Sequence, residues 1–250
     1  EPLGSDAQGV FVLNKFSLAA VISLALGVLN WVWLASRFKE TLPLDKRATV
    51  DAPKPAIFQI GRVSNVAVRK TCLSYLFYMI SFSGMEFTLT FLAVERFNYT
   101  PSGIAKMFLL IGFTLILAQG FFVRRFVGPL GEKKLALIGI FIGIVAFAMI
   151  SLIHGKPWFY LSLFLMSTGV AFISPTLTAL TSLHSKETDQ GFHLGVFRSS
   201  GSMARACGPL LAGLVYFTFG SSFAYLLGSV FLLIPAFFLL SVPQPDLSKR

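Results

Sequence analysis

Three formal charges stand well inside strongly apolar stretches of this chain: Glu86, Arg198 and Arg205. A charge near the middle of a bilayer costs at least about 2.5 to 3.5 kcal/mol on insertion scales, so each needs a partner, water or a task. Arg205 can offer a planar, permanently charged fork to an anionic group of a substrate. Glu86 can carry a coupled proton, because intramembrane acids recur in proton relays. The same two residues could instead pair with each other, or with charges outside this chain. Arg198 and Arg205 are seven apart, close to two helical turns, and so share a face. Arg198 lies near enough to one membrane surface to snorkel, which favours a contact role there. Tyr78 and Gln119 are the best polar candidates for lining a cavity; Tyr75, Ser83, Thr176 and Thr178 follow, although Ser and Thr often bond their own helix. No metal-ligand cluster, catalytic constellation or cofactor motif is visible inside the stretches, so no metal, no cofactor and no enzyme activity are expected.

Seven apolar stretches must position these groups: Phe16 to Ser36, Thr71 to Val94, Ala105 to Val123, Leu135 to Ile153, Trp158 to Leu180, Leu194 to Phe219 and Phe223 to Val242. Each has roughly the 20 residues of a spanning helix. They lack the alternation of a membrane β-strand. A mean hydropathy of +0.74 with 55% hydrophobic and 13% charged residues excludes an ordinary soluble domain. An all-α, multi-pass integral membrane protein is expected, in the plasma membrane or an internal one. On these starts Glu86 lies roughly 22 Å along its helix, Arg198 roughly 6 Å and Arg205 roughly 17 Å.

The net charge of +10 follows from topology and requires no nucleic acid. With each stretch crossing once, fifteen Lys and Arg fall on one side and four on the other, apart from Arg198 and Arg205. The richer side carries the segment from Arg37 to Lys70, the loop from Arg124 to Lys134, Lys186 and the terminal Lys249 and Arg250. The positive-inside rule makes that side cytoplasmic. Cys72 and Cys207 are expected to be packing residues, since one lies at a cytoplasmic helix end and the other inside a stretch. Gly139 with Gly143, and Gly201, Gly208 and Gly213, suit close helix approach, and Pro175, Pro209 and Pro235 interrupt helical hydrogen bonding. Asn98-Tyr99-Thr100 matches a glycosylation pattern but stands too near a helix end, and before Pro101, for modification to be expected.

Several stretches carry a family resemblance. The segment ETLPLDKR after the first stretch resembles the end of the first half in drug-exporting members of the major facilitator superfamily. YLFYMISFSGMEFTLTFLAVERF, GIAKMFLLIGFTLILAQGFFVRR and GVFRSSGSMARACGPLLAG resemble the tetracycline-transporter-like group within that superfamily. The resemblance runs from Glu40 onward. It implies a twelve-helix carrier that moves organic anions by alternating access, of which helices six to twelve are present. Residues 1–36 would be the last helix of the first half, 37–70 a basic cytoplasmic linker, 71–242 the second six-helix bundle and 243–250 a cytoplasmic tail. Thr71 to Ile153 and Trp158 to Val242 would form two inverted three-helix repeats, on count and spacing rather than sequence likeness. In one respect the chain departs from the family pattern: after Gly120 come Arg124 and Arg125 where an acid is expected, while the basic cluster of Lys133 and Lys134 is kept.

The expected partners are therefore a small organic anion, the lipid bilayer and a missing six-helix half, since the chain begins at Glu1 and resembles a fragment. The competing class is a seven-helix receptor or another non-transporting membrane protein. Against a receptor stand the large basic loop after the first stretch and the lack of cysteines for an extracellular clamp.

Overall fold

The computed structural model describes residues 15–38, 59–152, 154–186 and 188–244, and among them all regular structure is helical. Most of the expected linker and tail lie outside the described residues. The chain divides into two units, Glu1–Pro53 and Lys54–Arg250. The first contributes one described helix, α1 (Lys15–Arg37), apolar along its length and closed by Arg37 in its last turn, where a cation complements the exposed carbonyls.

In the second unit α2 runs over Val66–Phe97, α3 over Pro101–Leu117, a π-helical turn over Ala118–Val123, and α4 over Arg124–Leu130. There follow α5 (Glu132–Leu152), α6 (Lys156–Leu183), α7 (Gln190–Phe219), α8 (Ser221–Phe231) and α9 (Leu233–Leu240). The second stretch thus starts five residues earlier than hydropathy places it. The Asn65 side chain accepts from the backbone N–H groups of Ala67 and Val68, an N-cap that nucleates the helix ahead of the apolar run. Asn98 ends the helix in the left-handed conformation at φ 51°, and Thr100 then caps α3 with Pro101 in its first turn. The last stretch is a broken rod: Pro235 supplies no N–H to the Phe231 carbonyl, and the chain turns at Leu232 between α8 and α9.

Among the described residues six spans are long and apolar enough to cross a membrane: Ala20–Arg37, Val66–Phe97, Pro101–Leu130, Glu132–Leu152, Lys156–Leu183 and Ser221–Leu240. The expected seventh, α7, has 30 residues and the length to cross. Its arginines, serines and glycines keep it below that apolarity.

Hydrogen bonds assign the helix ends. Asn65 Nδ2 donates to the His184 carbonyl at 2.7 Å, Lys133 Nζ to the Leu240 and Val242 carbonyls at 2.8 and 2.5 Å, and Lys70 Nζ to the Ser241 carbonyl at 3.4 Å. This basic end gathers the starts of α2 and α5 and the ends of α6 and α9. At the other end Arg96, in the last turn of α2, donates to the Ile150 carbonyl at 2.5 Å and to the Ser221 and Ser222 hydroxyls at 3.2 and 3.3 Å. Successive rods therefore alternate in direction, and α2 and α7 run parallel.

The packing is reciprocal between the two expected triplets. The first helix of each, α2 and α6, lies against the second of the other, α7 and α3, and against the third of the other, α8–α9 and α5. Sequence likeness between the triplets is weak, yet their contacts follow the pseudo-two-fold pattern of inverted repeats. Between helices in lipid the attraction comes from close packing and interhelical hydrogen bonds rather than from the hydrophobic effect. Two glycine seams provide it. A Cβ on Gly208 would stand 2.6 Å from the Ile80 carbonyl oxygen of α2, and one on Gly139 would stand 2.9 Å from the Gly169 carbonyl oxygen of α6. Any larger residue would push the backbones apart.

Candidate functional site

The α2–α7 seam sets the position of the charged residues. Ser83 Oγ donates to the Ala204 carbonyl at 3.2 Å, so these residues are level. Arg205, next to Ala204, stands at the middle of the 30-residue α7; from the helix start at Gln190 it is about 22 Å along, deeper than the apolar run alone places it. Four residues later Pro209 has no N–H to offer the Arg205 carbonyl. Glu86 is one turn beyond Ser83, about 30 Å from the true start of α2. The carboxylate and the guanidinium thus belong to neighbouring levels of one seam.

Helical phase gives the direction each faces. Ser74 donates to the Pro235 carbonyl, Ser81 to the Gly228 carbonyl, and Thr88 to the Tyr225 hydroxyl, so these residues mark the side of α2 covered by α8 and α9. At 100° per residue Glu86 points about 120 to 160° away from them. Arg205 likewise lies about 120° around α7 from Leu211, which faces α8 across a cavity. Both charges are exposed on the flank opposite α8–α9. Neither forms a hydrogen bond or an ion pair with another described residue, so within the described residues the Glu86–Arg205 pair is not made.

Neighbours on the same faces extend this flank into a wall. On α2, Tyr75 and Phe82 precede Glu86 by eleven and four residues and share its face. Tyr75 stacks on Phe197 of α7 at 4.0 Å and 16°, and its ring fills the space that a side chain at Gly201 would need. On α7, Arg198 is exposed two turns before Arg205, and Ser202 between them donates to the Arg198 carbonyl at 3.2 Å. The result is an aromatic and cationic surface with one acid above it.

The other expected residues do not join this wall. Tyr78 is buried among the helices, and its hydroxyl has no hydrogen-bond partner among the described residues. Gln119 is exposed on the π-helical turn after α3. Thr176 and Thr178 bond their own helix, at the Phe172 and Ser174 carbonyls. A cavity of about 170 Å³ between α2, α7 and α8 includes Met85, Thr88, Gly208, Leu211 and Tyr225, on the side away from the charges. Among the described residues no three His, Cys, Asp or Glu side chains gather to hold a metal ion.

Sequence reading missed three features. Arg96 counts as a loop charge in the topology tally, yet it joins α2 to α5 and α8. Glu132 is a buried acid at the start of α5, one residue after Gly131 in the loop where Arg124 and Arg125 replace the expected acid. Tyr216 donates to Glu95, linking α7 to α2. The first two carry a signal in sequence, a charge at a helix end; what they touch is set by the packing.

Comparison with known proteins returns a consistent set. The model of the Major Facilitator Superfamily matches residues 14–188 and 130–250. Major facilitator superfamily domain-containing protein 10 of Homo sapiens is 32% identical over 274 residues, covering 97% of this chain and 60% of that protein. Its Mus musculus counterpart is 29% identical over 244 residues, covering 90% and 53%. The chain therefore spans little more than half the length of these relatives. The crystal structure of the human organic anion transporter MFSD10 (TETRAN) superimposes with a TM-score of 0.81 at 28% identity, covering 90% of this chain and 57% of that one. A POT peptide transporter, 13% identical with a TM-score of 0.62, shares the fold over 77% of this chain and 41% of its own.

Proposed function

The chain belongs to the major facilitator superfamily, and from that premise we propose that it supplies helices six to twelve of a twelve-helix secondary carrier that moves small organic anions by alternating access. In this reading α1 closes a first bundle, the basic segment 37–70 links the halves, 71–242 forms the second bundle, and 243–250 is a tail. The basic end faces the cytoplasm, as the excess of Lys and Arg there requires. Family membership sets the seven-helix receptor reading aside.

Arg205 carries the proposal. It is a permanent charge at the middle of a helix, exposed on its own bundle and without a partner among the described residues. Leaving it to lipid is costly, so the surface it faces must bring water, an anion or an acid of the opposing bundle. A cavity between bundles that admits an anion meets that need. The aromatic ring of Tyr75, packed at Gly201 one turn nearer the basic end, suits the apolar body of an organic anion, and the human structural neighbour is an organic anion transporter. Arg198, nearer the basic end, contacts the opposing bundle. Glu86 takes up the coupled proton. Tyr78 and Gln119 are proposed as further polar groups, reached in another state of the carrier.

The test is uptake of organic anions into vesicles holding the carrier with both bundles. Arg205→Ala lowers uptake at least about tenfold, the loss of one charge-assisted contact. Arg205→Lys restores little, because a lysine cannot present the fork. Glu86→Gln leaves anion uptake in place but removes its response to an imposed pH gradient. Parental uptake by a well-expressed Arg205→Ala variant sinks the anion site, and a retained gradient response in Glu86→Gln sinks the coupling role.

A further inference from the structure

Behind the wall, beneath Phe82, lies a small closed pocket. It holds about 10 Å³ and is lined by Tyr78 and Phe82 of α2, Ile140 and Phe147 of α5, and Met166 and Ile173 of α6. Tyr78 brings the only polar side chain to the lining, and its buried hydroxyl has no hydrogen-bond partner among the described residues. That burial is made by α2, α5 and α6 themselves, so it does not depend on what stands opposite the wall. Water does not answer the hydroxyl: the volume is at the lower limit for one molecule, and a buried water needs roughly two to four polar partners where this lining offers one. The partner must come with a larger occupant, once the pocket has opened. Phe82 is the side chain that can open it. Its ring is half-buried on the face it shares with Glu86 and stacks on Tyr78 at 6.0 Å and 14°. Ile140, Phe147, Met166 and Ile173 are buried, so turning any of them unpacks the core, whereas Phe82 needs only another staggered rotamer toward the pathway. Val170, the other half-buried lining residue, is β-branched and held to one rotamer in its helix.

We propose that Phe82 is a gate between the anion pathway and this pocket, and that the apolar body of a carried anion enters it, a carbonyl or similar acceptor on that body taking the Tyr78 hydroxyl. The inference rests on the anion-carrier reading and narrows its substrates to anions whose apolar body bears a hydrogen-bond acceptor. The apolar lining suits the body, and the single donor at its base selects among bodies of one shape. A site built to bond one polar group rejects the analogue lacking it, because its own buried group is then left unpaired. Tyr75, two turns before Phe82 on the same face, borders the entrance from the basic side.

The experiment compares uptake of para-acetyl and para-isopropenyl phenylbutanoate into vesicles holding the carrier with both bundles. The probes match in charge and shape, and only the first carries an acceptor. In the parent the acetyl probe has the lower KM by about fivefold, the worth of one neutral hydrogen bond. Tyr78→Phe removes that difference and spares the isopropenyl probe. Phe82→Ala leaves the pocket open without a gate, lowers KM for both probes about threefold and keeps their ratio. Gly143→Ala narrows the pocket from α5, where a Cβ would make ordinary contact with Leu232 at 3.5 Å, and raises KM for both. Equal KM values in the parent, or a difference that survives Tyr78→Phe, overturn the pocket even where uptake still depends on Arg205. Parental KM values in Phe82→Ala overturn the gate, and a parent that carries neither probe overturns the pocket as a substrate site. Parental uptake of both probes in Arg205→Ala, with the acetyl preference intact, sinks the anion site instead and leaves the pocket standing.

Discussion

Tyr78 has 3% of its surface exposed, and its hydroxyl lacks a partner among the described residues. A buried hydroxyl left unmatched costs about 1 to 3 kcal/mol, so packing alone gives no reason for a tyrosine rather than a phenylalanine here. Tyr78→Phe therefore unfolds at the same or a higher temperature in detergent, with up to about 1 kcal/mol gained. If the hydroxyl serves the transport cycle in another state, the same variant slows anion uptake. Measured together, the two readouts separate the roles: parental uptake with raised stability would remove Tyr78 from the coupling machinery and leave it a core residue. Arg205 presents the opposite case. An exposed charge without a partner needs something outside its bundle, whereas a buried hydroxyl without one needs something that enters or moves.

At the scale of the helices, Arg96 is the side chain that joins most elements. Its guanidinium reaches the Ile150 carbonyl near the end of α5 and the Ser221 and Ser222 hydroxyls at the start of α8, and Ser151 adds a bond to the Ser222 carbonyl. Hydrogen bonds to a charged group contribute about 1.5 to 3 kcal/mol in proteins, so Arg96→Ala lowers unfolding stability by about 2 kcal/mol, read by thermal melting in detergent. Arg96→Lys recovers less than half, since a single ammonium cannot span three acceptors held at separate angles. None of this was legible in the sequence, where Arg96 is one basic residue at a helix end. Hydropathy reported where the rods run because burial in lipid acts on each residue separately. It misplaced the start of α2 because capping by Asn65 is a polar signal, and it could not foresee the π-helical turn at Ala118–Val123. The interruption at Pro235 was legible, since a missing N–H is a property of one residue. That Gly208 meets Ile80, while Gly112 and Gly120 meet nothing within 4 Å, depends on which helix packs where. The charged candidates Glu86 and Arg205 were visible for their cost, but their common flank followed only from knowing which residues α8 and α9 cover.

For the whole molecule, the bundle formed by α2 to α9 is tied at both ends, by Lys133, Asn65 and Lys70 at the basic end and by Arg96 and the Tyr216–Glu95 bond at the other. A bundle held in this way opens and closes a pathway more readily by moving against another body than by loosening within itself. The wall of Tyr75, Phe82, Glu86, Arg198, Ser202 and Arg205 has the same implication, because it is one-sided: an anion beside Arg205 would have protein on one flank only. The chain also spans 60% of the human relative and 53% of the mouse one. Residues 1–250 reconstituted alone should therefore insert and keep their helical circular dichroism, yet give no saturable organic-anion flux above empty vesicles. Supplying a first bundle as a separate chain restores flux, and Arg205→Ala in the present chain lowers it again at least about tenfold. Saturable flux from the chain by itself would overturn the two-bundle reading, since the partner that Arg205 requires would then have to come from this chain or a second copy of it.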